Sequence, residues 1–353
     1  MSLAREYLYN LVTGKTKGPG AAFLRGILFI LSLIYGFIVI LLAGFYKIRR
    51  RRLPAKVVSV GNITLGGTGK TTLVQYLSVK LSAAGNKVAV LTRGYKRNAQ
   101  LEGTRGMGDE PLMLAEKLPQ IPVIVNKDRL KAARQAVRDY ACDTLILDDG
   151  MQQWKLDKDL EIVTIDAANP FGNLRLLPAG FLREPLSALK RADIFVITQT
   201  SCVRDPGALA DKLTRINPRA LIVESNHAPK GLSPLEAPDK ELGLPALKGK
   251  TAAVFSGIGN PEGFEKCLRG LGIKYMKIYR FPDHHAYTQN DILEILQAAR
   301  KDKLEMVITT QKDAVKLRKT GIKDSGILVL EIKLEITKNE AEFDRRLLRL
   351  HSI

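Results

Sequence analysis

Two groups of residues in the 353-residue chain have the types and spacing needed to hold and transfer a phosphate group. The first is GNITLGGTGKTT at residues 61–72, which follows the apolar run VVSVG and precedes a helical stretch. Its glycines allow backbone N–H groups to face phosphates, Lys70 supplies a positive charge, and the Thr71 hydroxyl can ligate magnesium. Thr64 stands at the first position of GxxxxGK[ST], so the pattern is imperfect, but strand and helix flank it as required. We therefore predict a nucleotide-phosphate site formed by Thr64, Leu65, Gly66, Gly67, Thr68, Gly69, Lys70, Thr71 and Thr72.

The second group is a pair of carboxylates at the end of another apolar run, TLILDDG at residues 144–150. A carboxylate that ends a strand beside a phosphate loop reaches the magnesium ion of the nucleotide. Asp148 and Asp149 are the candidates, and the sequence leaves open which of them touches the metal. The simpler interpretation is a turn opened by Asp-Gly, but the nearby phosphate loop favours the magnesium role.

Three further motifs have no role in a bare phosphate-binding domain: MGDEP at 107–111, LLPAGFLREP at 176–185 and FPDHH at 281–285. Asp109 and Glu110 stand at the start of a predicted helix, where acidic residues either cap the helix or perform chemistry. Asp283 and His284 precede another predicted helix, with the same two interpretations. Taken alone, neither motif decides between them.

The elements around these motifs alternate between short β-branched runs and helical stretches, which is typical of an α/β doubly wound parallel sheet. We expect a P-loop domain over residues 57–225, a Pro- and Gly-rich connection over 226–250 and a smaller α/β lobe over 251–353. The expected strands are 57–61, 87–91, 123–125, 144–147, 161–166, 193–198 and 220–224, then 251–256, 275–279, 306–310 and 327–336.

A separate segment, residues 1–56, precedes this body and carries ten of the 55 Lys and Arg residues but one acid, Glu6. Residues 26–46 are 21 uncharged, mostly apolar residues followed by four arginines at 49–52, a length and flank typical of a membrane helix. Its basic end should face the cytoplasm. The sequence is compatible with a helix that spans the bilayer and with one that lies on an anionic membrane surface.

The body resembles one family, the tetraacyldisaccharide 4'-kinases, which phosphorylate the lipid A precursor at the bacterial inner membrane. The resemblance covers nearly all of the chain after residue 54, and the N-terminal membrane helix also matches. Its motifs are SVGNITLGGTGKT, TRGYKR at 92–97, GDEPLMLA at 108–115, DRLKAA at 128–133, DDGMQ at 148–152, DLEIVTID at 159–166, LLPAGFLREP, FPDHH and TTQKDAVKL at 309–317.

The resemblance implies transfer of the ATP γ-phosphate to the 4'-hydroxyl of an acylated glucosamine disaccharide 1-phosphate. It implies that Asp109 is the base on that hydroxyl and that His284 supports it. Lys70 and Thr71 would hold phosphates; Thr71, Asp148, Asp149 and Glu110 would serve Mg²⁺. Arg129 and Arg183 look like cations near the transferring phosphoryl group or the lipid phosphate. The expected location is the inner membrane, with the catalytic body on its cytoplasmic face.

The chain departs from the family pattern at positions outside these catalytic assignments. Thr72 stands where the family usually has Pro, Met151 where it has Phe, and Phe181 where Pro is common. Gln153 and Trp154 stand where His and Arg often follow the DDGFQ motif, so the family's contacts by that loop are not carried over to this chain.

Two other functions compete with a lipid kinase. A membrane-tethered NTPase switch that recruits a protein partner is the main alternative, but Leu65 replaces the lysine that such switches carry in KGGxGKT. A nucleic-acid-binding protein would also explain a net charge of +19. It is disfavoured because the charge clusters beside the apolar helix and no aromatic-basic platform is present. We therefore expect a lipid substrate, no nucleic acid and no obligate protein partner.

Overall fold

The computed structural model describes residues 3–94, 108–283, 285–322 and 325–351. The chain folds into two compact units. Unit 1 contains the described residues up to 94, residues 114–226 and the C-terminal stretch from Leu334. Unit 2 contains residues 108–113 and 227–333. His284 and the second half of the TRGYKR motif, residues 95–97, lie outside the described residues, so the structure does not test them.

Unit 1 is built on parallel strands that are buried on both faces. Their order is β3-β2-β4-β1-β5-β6-β7. Continuous apolar sequences such as VAVLT and IFVIT form them because helices cover both faces of a parallel sheet. The strands are β1 Lys56–Gly61, β2 Val88–Thr92, β3 Val123–Val125, β4 Thr144–Asp148, β5 Leu160–Asp166, β6 Ile194–Thr198 and the first part of β7 Leu221–Pro234.

The helices of unit 1 include α3 Lys70–Ala83, α5 Arg129–Tyr140 and α6 Pro206–Ile216. Leu73 and Leu77 of α3 are fully buried in the same core as Val58 of β1 and Ile146 of β4. The register pairs Val60 with Asp148 across β1 and β4. The sheet therefore brings the phosphate loop and the Asp148–Asp149 pair together at the carboxyl ends of two neighbouring strands.

Two N-terminal helices also belong to unit 1: α1 Leu3–Val12 and α2 Pro19–Ile48. The second is long and apolar enough to cross a membrane, by length and composition, and 17% of its most apolar window is buried. Its buried positions in the middle, Ser32, Gly36 and Val39, recur every three or four residues and so form one stripe. Tyr35 lies beside this stripe, and its hydroxyl donates to the Arg183 carbonyl at 2.9 Å. The helix thus packs one face on the body.

Unit 2 has its own parallel strands, in the order β11-β10-β8-β9, and its own hydrophobic clusters. They are β8 Thr251–Ser256, β9 Tyr275–Arg280, β10 Met306–Thr310 and β11 Ile327–Lys338, whose last residues belong to unit 1. Its helices are α7 Pro261–Gly270, α8 Gln289–Lys301 and α9 Gln311–Arg318. Helix α4 spans Asp109–Lys117, and its first residues, 109–113, also belong to unit 2.

The chain passes between the units more often than the sequence suggests. The end of β11 and the last helix, α10 Glu340–Leu348, return to unit 1, and β7 extends to Pro234 through residues expected to form a connection. The Pro, Lys and Gly residues of HAPKGLSP predict a loop, but backbone pairing of Leu232 with Leu242 holds this stretch extended. The compact units therefore differ from the predicted domains at residues 108–113 and at the C-terminus.

Candidate active site

The phosphate loop lies between β1 and α3 with its glycine-rich part open to solvent. Leu65, Gly66 and Gly67 are exposed, whereas Thr64 and Thr68 are buried. Gly66 and Gly69 have φ values of +124° and +79°, a region that favours glycine. Because α3 begins at Lys70, the loop ends at a helix N-terminus, whose free N–H groups attract anions. This geometry is that of a phosphate cradle.

Both ends of the loop are anchored to the rest of unit 1. The Leu65 N–H donates to the Phe181 carbonyl, and the Arg183 N–H donates to the Ile63 carbonyl, each at 2.7 Å. Farther along, the hydroxyls of Thr68 and Thr164 hydrogen-bond to each other at 2.6 Å. The LREP motif at 182–185 thus forms a short ladder with the start of the phosphate loop.

Three of the predicted site residues, Lys70, Asp149 and Arg183, meet beside this loop. The Arg183 guanidinium donates to both carboxylate oxygens of Asp149, at 2.6 and 2.9 Å, and Lys70 Nζ lies 3.6 Å from Asp149 Oδ1. Burial by itself would raise the pKa of Asp149, but the hydrogen bonds from Arg183 and the charge of Lys70 lower it to about 2. At neutral pH the site holds two cations and one carboxylate.

Asp148 and Arg129 form a second contact, next to Asp149 at the end of β4. Asp148 is 5% exposed and accepts from the Thr92 hydroxyl at 3.4 Å. Arg129 is 3% exposed and donates to the Asp148 carbonyl at 3.2 Å and to the Asn126 carbonyl at 2.6 Å. Burial lowers the pKa of Arg129 to about 10, so its guanidinium is still charged at neutral pH. Arg129 therefore fixes the backbone at the end of β4.

The turn that carries Asp149 is held by residues that the sequence analysis did not identify. Lys158 Nζ donates to the carbonyls of Gly150 and Met151, at 2.7 and 3.2 Å, and to Glu161 at 2.6 Å. Glu161 also accepts from the Ser59 hydroxyl at 2.7 Å. The side chains of Lys158 and Glu161 are each 8% exposed. Charged residues at this spacing usually lie on a solvated surface, so the sequence gives no signal of this role.

Asp109, the predicted base, lies in the first turn of α4 in unit 2. Its carboxylate pairs with Lys319 at 3.1 Å, and 27% of the side chain is exposed. Asp283, the residue before His284, pairs with Lys312 at 3.1 Å. Glu110 is exposed beside Asp109. Both lysines come from α9 and the residue that follows it, so this helix holds both acidic motifs of unit 2.

The donor set of unit 1 fits a magnesium ion bound together with nucleotide phosphates. Among the described residues, no three His, Cys, Asp or Glu side chains group closely enough to hold a metal by themselves. Mg²⁺ rarely needs such a cage, because one or two carboxylates, water and substrate phosphates complete its octahedron. Thr71 and the Asp148–Asp149 pair supply hard oxygen donors of this kind.

Comparisons with known proteins match almost the whole chain. The family model of tetraacyldisaccharide-1-P 4'-kinase matches residues 24–352. A tetraacyldisaccharide 4'-kinase of Halothermothrix orenii is 38% identical over 94% of this chain and 94% of its own length. One of Desulfatibacillum aliphaticivorans is 36% identical over 95% and 94%.

A solved structure matches the fold as well. LpxK from Aquifex aeolicus, crystallised in complex with ATP, superposes with a TM-score of 0.71 at 29% identity, over 93% of this chain and 99% of that one. The α/β fold predicted from the alternating pattern is confirmed. The chain belongs to the tetraacyldisaccharide-1-P 4'-kinase family.

Proposed function

We propose that this kinase transfers the γ-phosphate of ATP to the 4'-hydroxyl of an acylated glucosamine disaccharide 1-phosphate, the precursor of lipid A. The observation that carries this proposal is the open glycine loop with Lys70 and Arg183 beside it. Phosphoryl transfer depends chiefly on in-line placement and on neutralising the charge of the transferring group. A cradle of N–H groups with two fixed cations supplies that neutralisation.

The residues of unit 1 divide this work. Lys70 and Arg183 stabilise negative charge on the phosphates, and Asp149 fixes the position of both cations. Arg129 acts as a positioning residue, since its Nη1 and Nη2 groups donate to the main-chain carbonyls of Asn126 and Asp148. Thr71 and Asp148 or Asp149 would hold Mg²⁺, which when bound offsets the charge of the β- and γ-phosphates. Glu110 as a further ligand stays a prediction.

In unit 2, we assign Asp109 as the base that accepts the proton of the 4'-hydroxyl. A carboxylate suits this task because aspartate is ordinarily ionised at neutral pH. The side chain of Asp109 is also partly open to solvent, and Lys319 contacts its Oδ1. His284 is proposed as its partner, on the basis of the family motif alone.

The apolar helix supports a location at the membrane. The middle of α2 packs on unit 1 so closely that a Cβ on Gly36 would lie 2.6 Å from Leu176 Cδ1. The middle of a helix that crosses a bilayer lies in hydrocarbon, which excludes polar backbone groups. Tyr35, in the middle of α2, instead donates a hydrogen bond to the backbone carbonyl of Arg183. We therefore propose that α2 lies in the interface of the inner membrane, with the body on the cytoplasmic side.

The decisive experiment is incubation of purified protein with ATP labelled at the γ-phosphate and detergent-dispersed acylated disaccharide 1-phosphate. Label recovered in the lipid is the expected result. Release of free labelled phosphate, at a rate that the lipid does not change, would instead indicate an NTPase switch and would overturn the proposal.

The same assay tests the base. We expect Asp109→Asn to lower turnover about 10²-fold or more, the usual contribution of a general base, with nucleotide affinity unchanged. Glu116→Gln, an exposed carboxylate near the other end of α4, is the matched control. Near-normal turnover of Asp109→Asn would exclude the assignment.

A further inference from the structure

Helix α9, Gln311–Arg318, is anchored in unit 2 along its whole middle. Its five central residues, 313–317, are buried. At its start, the Asp313 N–H donates to the Thr310 hydroxyl at 3.2 Å, and this hydroxyl donates to the Asp313 carboxylate at 2.7 Å. These two hydrogen bonds cap the helix, because they satisfy one of its free N–H groups and hold the residue before it. The first turn of α9 is therefore fixed.

A buried ion pair joins α9 to the loop that follows β8. Asp313 is fully buried and accepts from Lys316 Nζ at 2.9 Å and from the Gly257 N–H at 3.0 Å. Lys316 is 6% exposed and also donates to the Gly257 carbonyl at 3.2 Å. A shift of the helix would leave two buried charges without their partners, which is strongly unfavourable. Helix α9 therefore keeps one position against β8.

Two lysines at opposite ends of α9 lie on one face of the helix. Lys312 and Lys319 are seven residues apart, close to two full turns, and Lys319 keeps helical backbone angles, with φ −69° and ψ −20°. Their Cα atoms are therefore separated by about 10 Å along the helix axis. Lys312 Nζ lies 3.1 Å from Asp283 Oδ1, and Lys319 Nζ lies 3.1 Å from Asp109 Oδ1. One face of one helix thus holds a carboxylate of each acidic motif of unit 2.

The exposure of these two ion pairs limits what they contribute to stability. The four side chains are 26–42% exposed. Ion pairs this open to water contribute little to the free energy of unfolding, because solvent screens them and two flexible side chains must be ordered. Both pairs nevertheless orient a carboxylate, and Asp109 is the one that we assign as the base. Their geometry therefore suits a role in the reaction better than a role in folding.

We propose that α9 is a positioning element for phosphoryl transfer. Lys319 sets the place of the Asp109 carboxylate, and Lys312 sets that of Asp283, the residue before His284. This gives the TTQKDAVKL motif at 309–317 a function: its buried residues fix the helix, and its first lysine holds the FPDHH motif. The inference rests on the proposed role of Asp109 as the base.

The first test uses Lys319→Met in the full-length protein, since Met has a similar length and no charge. In the lipid phosphorylation assay we expect kcat to fall about tenfold, because a base displaced by even a fraction of an ångström loses rate. The KM for ATP should be unchanged, because the phosphate loop lies in unit 1. Lys319→Arg keeps a cation at this position and should recover most of the turnover. The midpoint of urea unfolding should be the same in all three proteins.

A double variant tests whether Lys319 acts through Asp109. Residues that work through one another give non-additive effects, so Lys319→Met should lower turnover no further in the Asp109→Asn background. The matched control is Lys250→Met, which breaks the Lys250–Glu305 ion pair of unit 2. This pair has a distance of 2.7 Å and side chains that are 43% and 42% exposed, so it resembles the Lys319–Asp109 pair. Turnover of the control should be unchanged.

The second lysine is tested in the same way. Lys312→Met removes the cation beside Asp283 and should lower kcat several-fold, again with an unchanged KM for ATP and an unchanged urea midpoint. Lys312→Arg should recover most of the loss.

The outcomes separate this inference from the proposed function. Normal turnover of Lys319→Met, in an enzyme that Asp109→Asn impairs, would overturn the inference and leave the base assignment intact. A further tenfold loss on adding Lys319→Met to Asp109→Asn would show that the lysine acts independently of the base, and a lowered urea midpoint would reduce its role to stability. Near-normal turnover of Asp109→Asn would overturn the base assignment and this inference together.

Discussion

Asp149 lies at a position where two cations and an uncommon backbone conformation coincide. Its φ of +57° falls in the left-handed region, which Asp and Asn tolerate better than other residues with a side chain. Its carboxylate engages Arg183 twice and Lys70 once. An incoming triphosphate must therefore compete with this carboxylate for the same two cations, unless a metal ion holds all of them together.

The lowered pKa of Asp149 makes a prediction about stability and pH. The value falls from 3.8 to about 2 on folding, so the charged carboxylate stabilises the fold above pH 4 and this contribution is lost as pH falls toward 2. We expect Asp149→Asn, which keeps the backbone conformation, to be less stable than the unaltered protein above pH 4. Urea unfolding at pH 7, 5, 4 and 3 should show the difference shrinking at the lowest values.

The control for this measurement is Asp211→Asn, an exposed carboxylate on α6 that should have no such pH-dependent effect. A stability difference for Asp149→Asn that stays constant down to pH 3 would contradict the ion-pair explanation.

At the scale of elements, the turn after β4 is the part of the candidate site that packing defines most tightly. A Cβ on Gly150 would lie 2.4 Å from Ser59 Oγ, and one on Gly61 would lie 2.5 Å from the Met151 nitrogen. The turn therefore lies flush against β1. Lys158 closes it from the other side through two carbonyls and is itself neutralised by Glu161.

This arrangement predicts that stability and turnover respond differently to charge removal. Lys158→Met leaves Glu161 buried without its partner and should lower the free energy of unfolding by about 3–5 kcal/mol. Lys158→Met/Glu161→Gln removes both charges and should regain much of that stability. Turnover should stay low in both variants, because the carbonyls of Gly150 and Met151 have lost their donor and the turn with Asp149 is no longer fixed.

Urea unfolding and the lipid phosphorylation assay, run in parallel, measure the two effects. Lys190→Met, an exposed lysine, is the control. Recovery of both stability and turnover in the double variant would show that Lys158 has a structural role only.

The elements themselves were largely predictable, while the contacts that fix the turn were not. The runs at 123–125, 251–256 and 306–310 match β3, β8 and β10 residue for residue, because strands buried on both faces are continuous apolar sequences. The phosphate loop was predictable because its glycines and Lys70 are local in sequence. The contacts of Lys158 with Gly150, Met151 and Glu161 form only in the tertiary fold, which leaves no periodic signal in the sequence.

At the scale of the whole molecule, unit 1 is completed by the last part of the chain. Phe343 and Leu347 of α10 are fully buried in the same core as Leu73 of α3. The Phe343 ring stacks on Tyr76 at 6.2 Å between centroids, and Asp344 pairs with Lys80 of α3. The helix that begins at Lys70 is thus supported by residues more than 250 positions later.

The packing of α10 against α3 predicts that a core substitution in α10 has a local effect. Phe343→Ala should cost about 3–5 kcal/mol, the range for truncating a buried aromatic side chain. Because the cavity lies against α3, hydrogen exchange in native buffer should accelerate in β1 and α3, and ATP affinity should fall. The strands β8 and β10 of unit 2 have separate hydrophobic clusters, so their exchange should be unchanged. Leu348→Ala, a leucine of the same helix that is 44% exposed, is the control. Equal acceleration in the strands of both units would show that they unfold as one cooperative body and that α10 stabilises the whole chain rather than the nucleotide-binding unit.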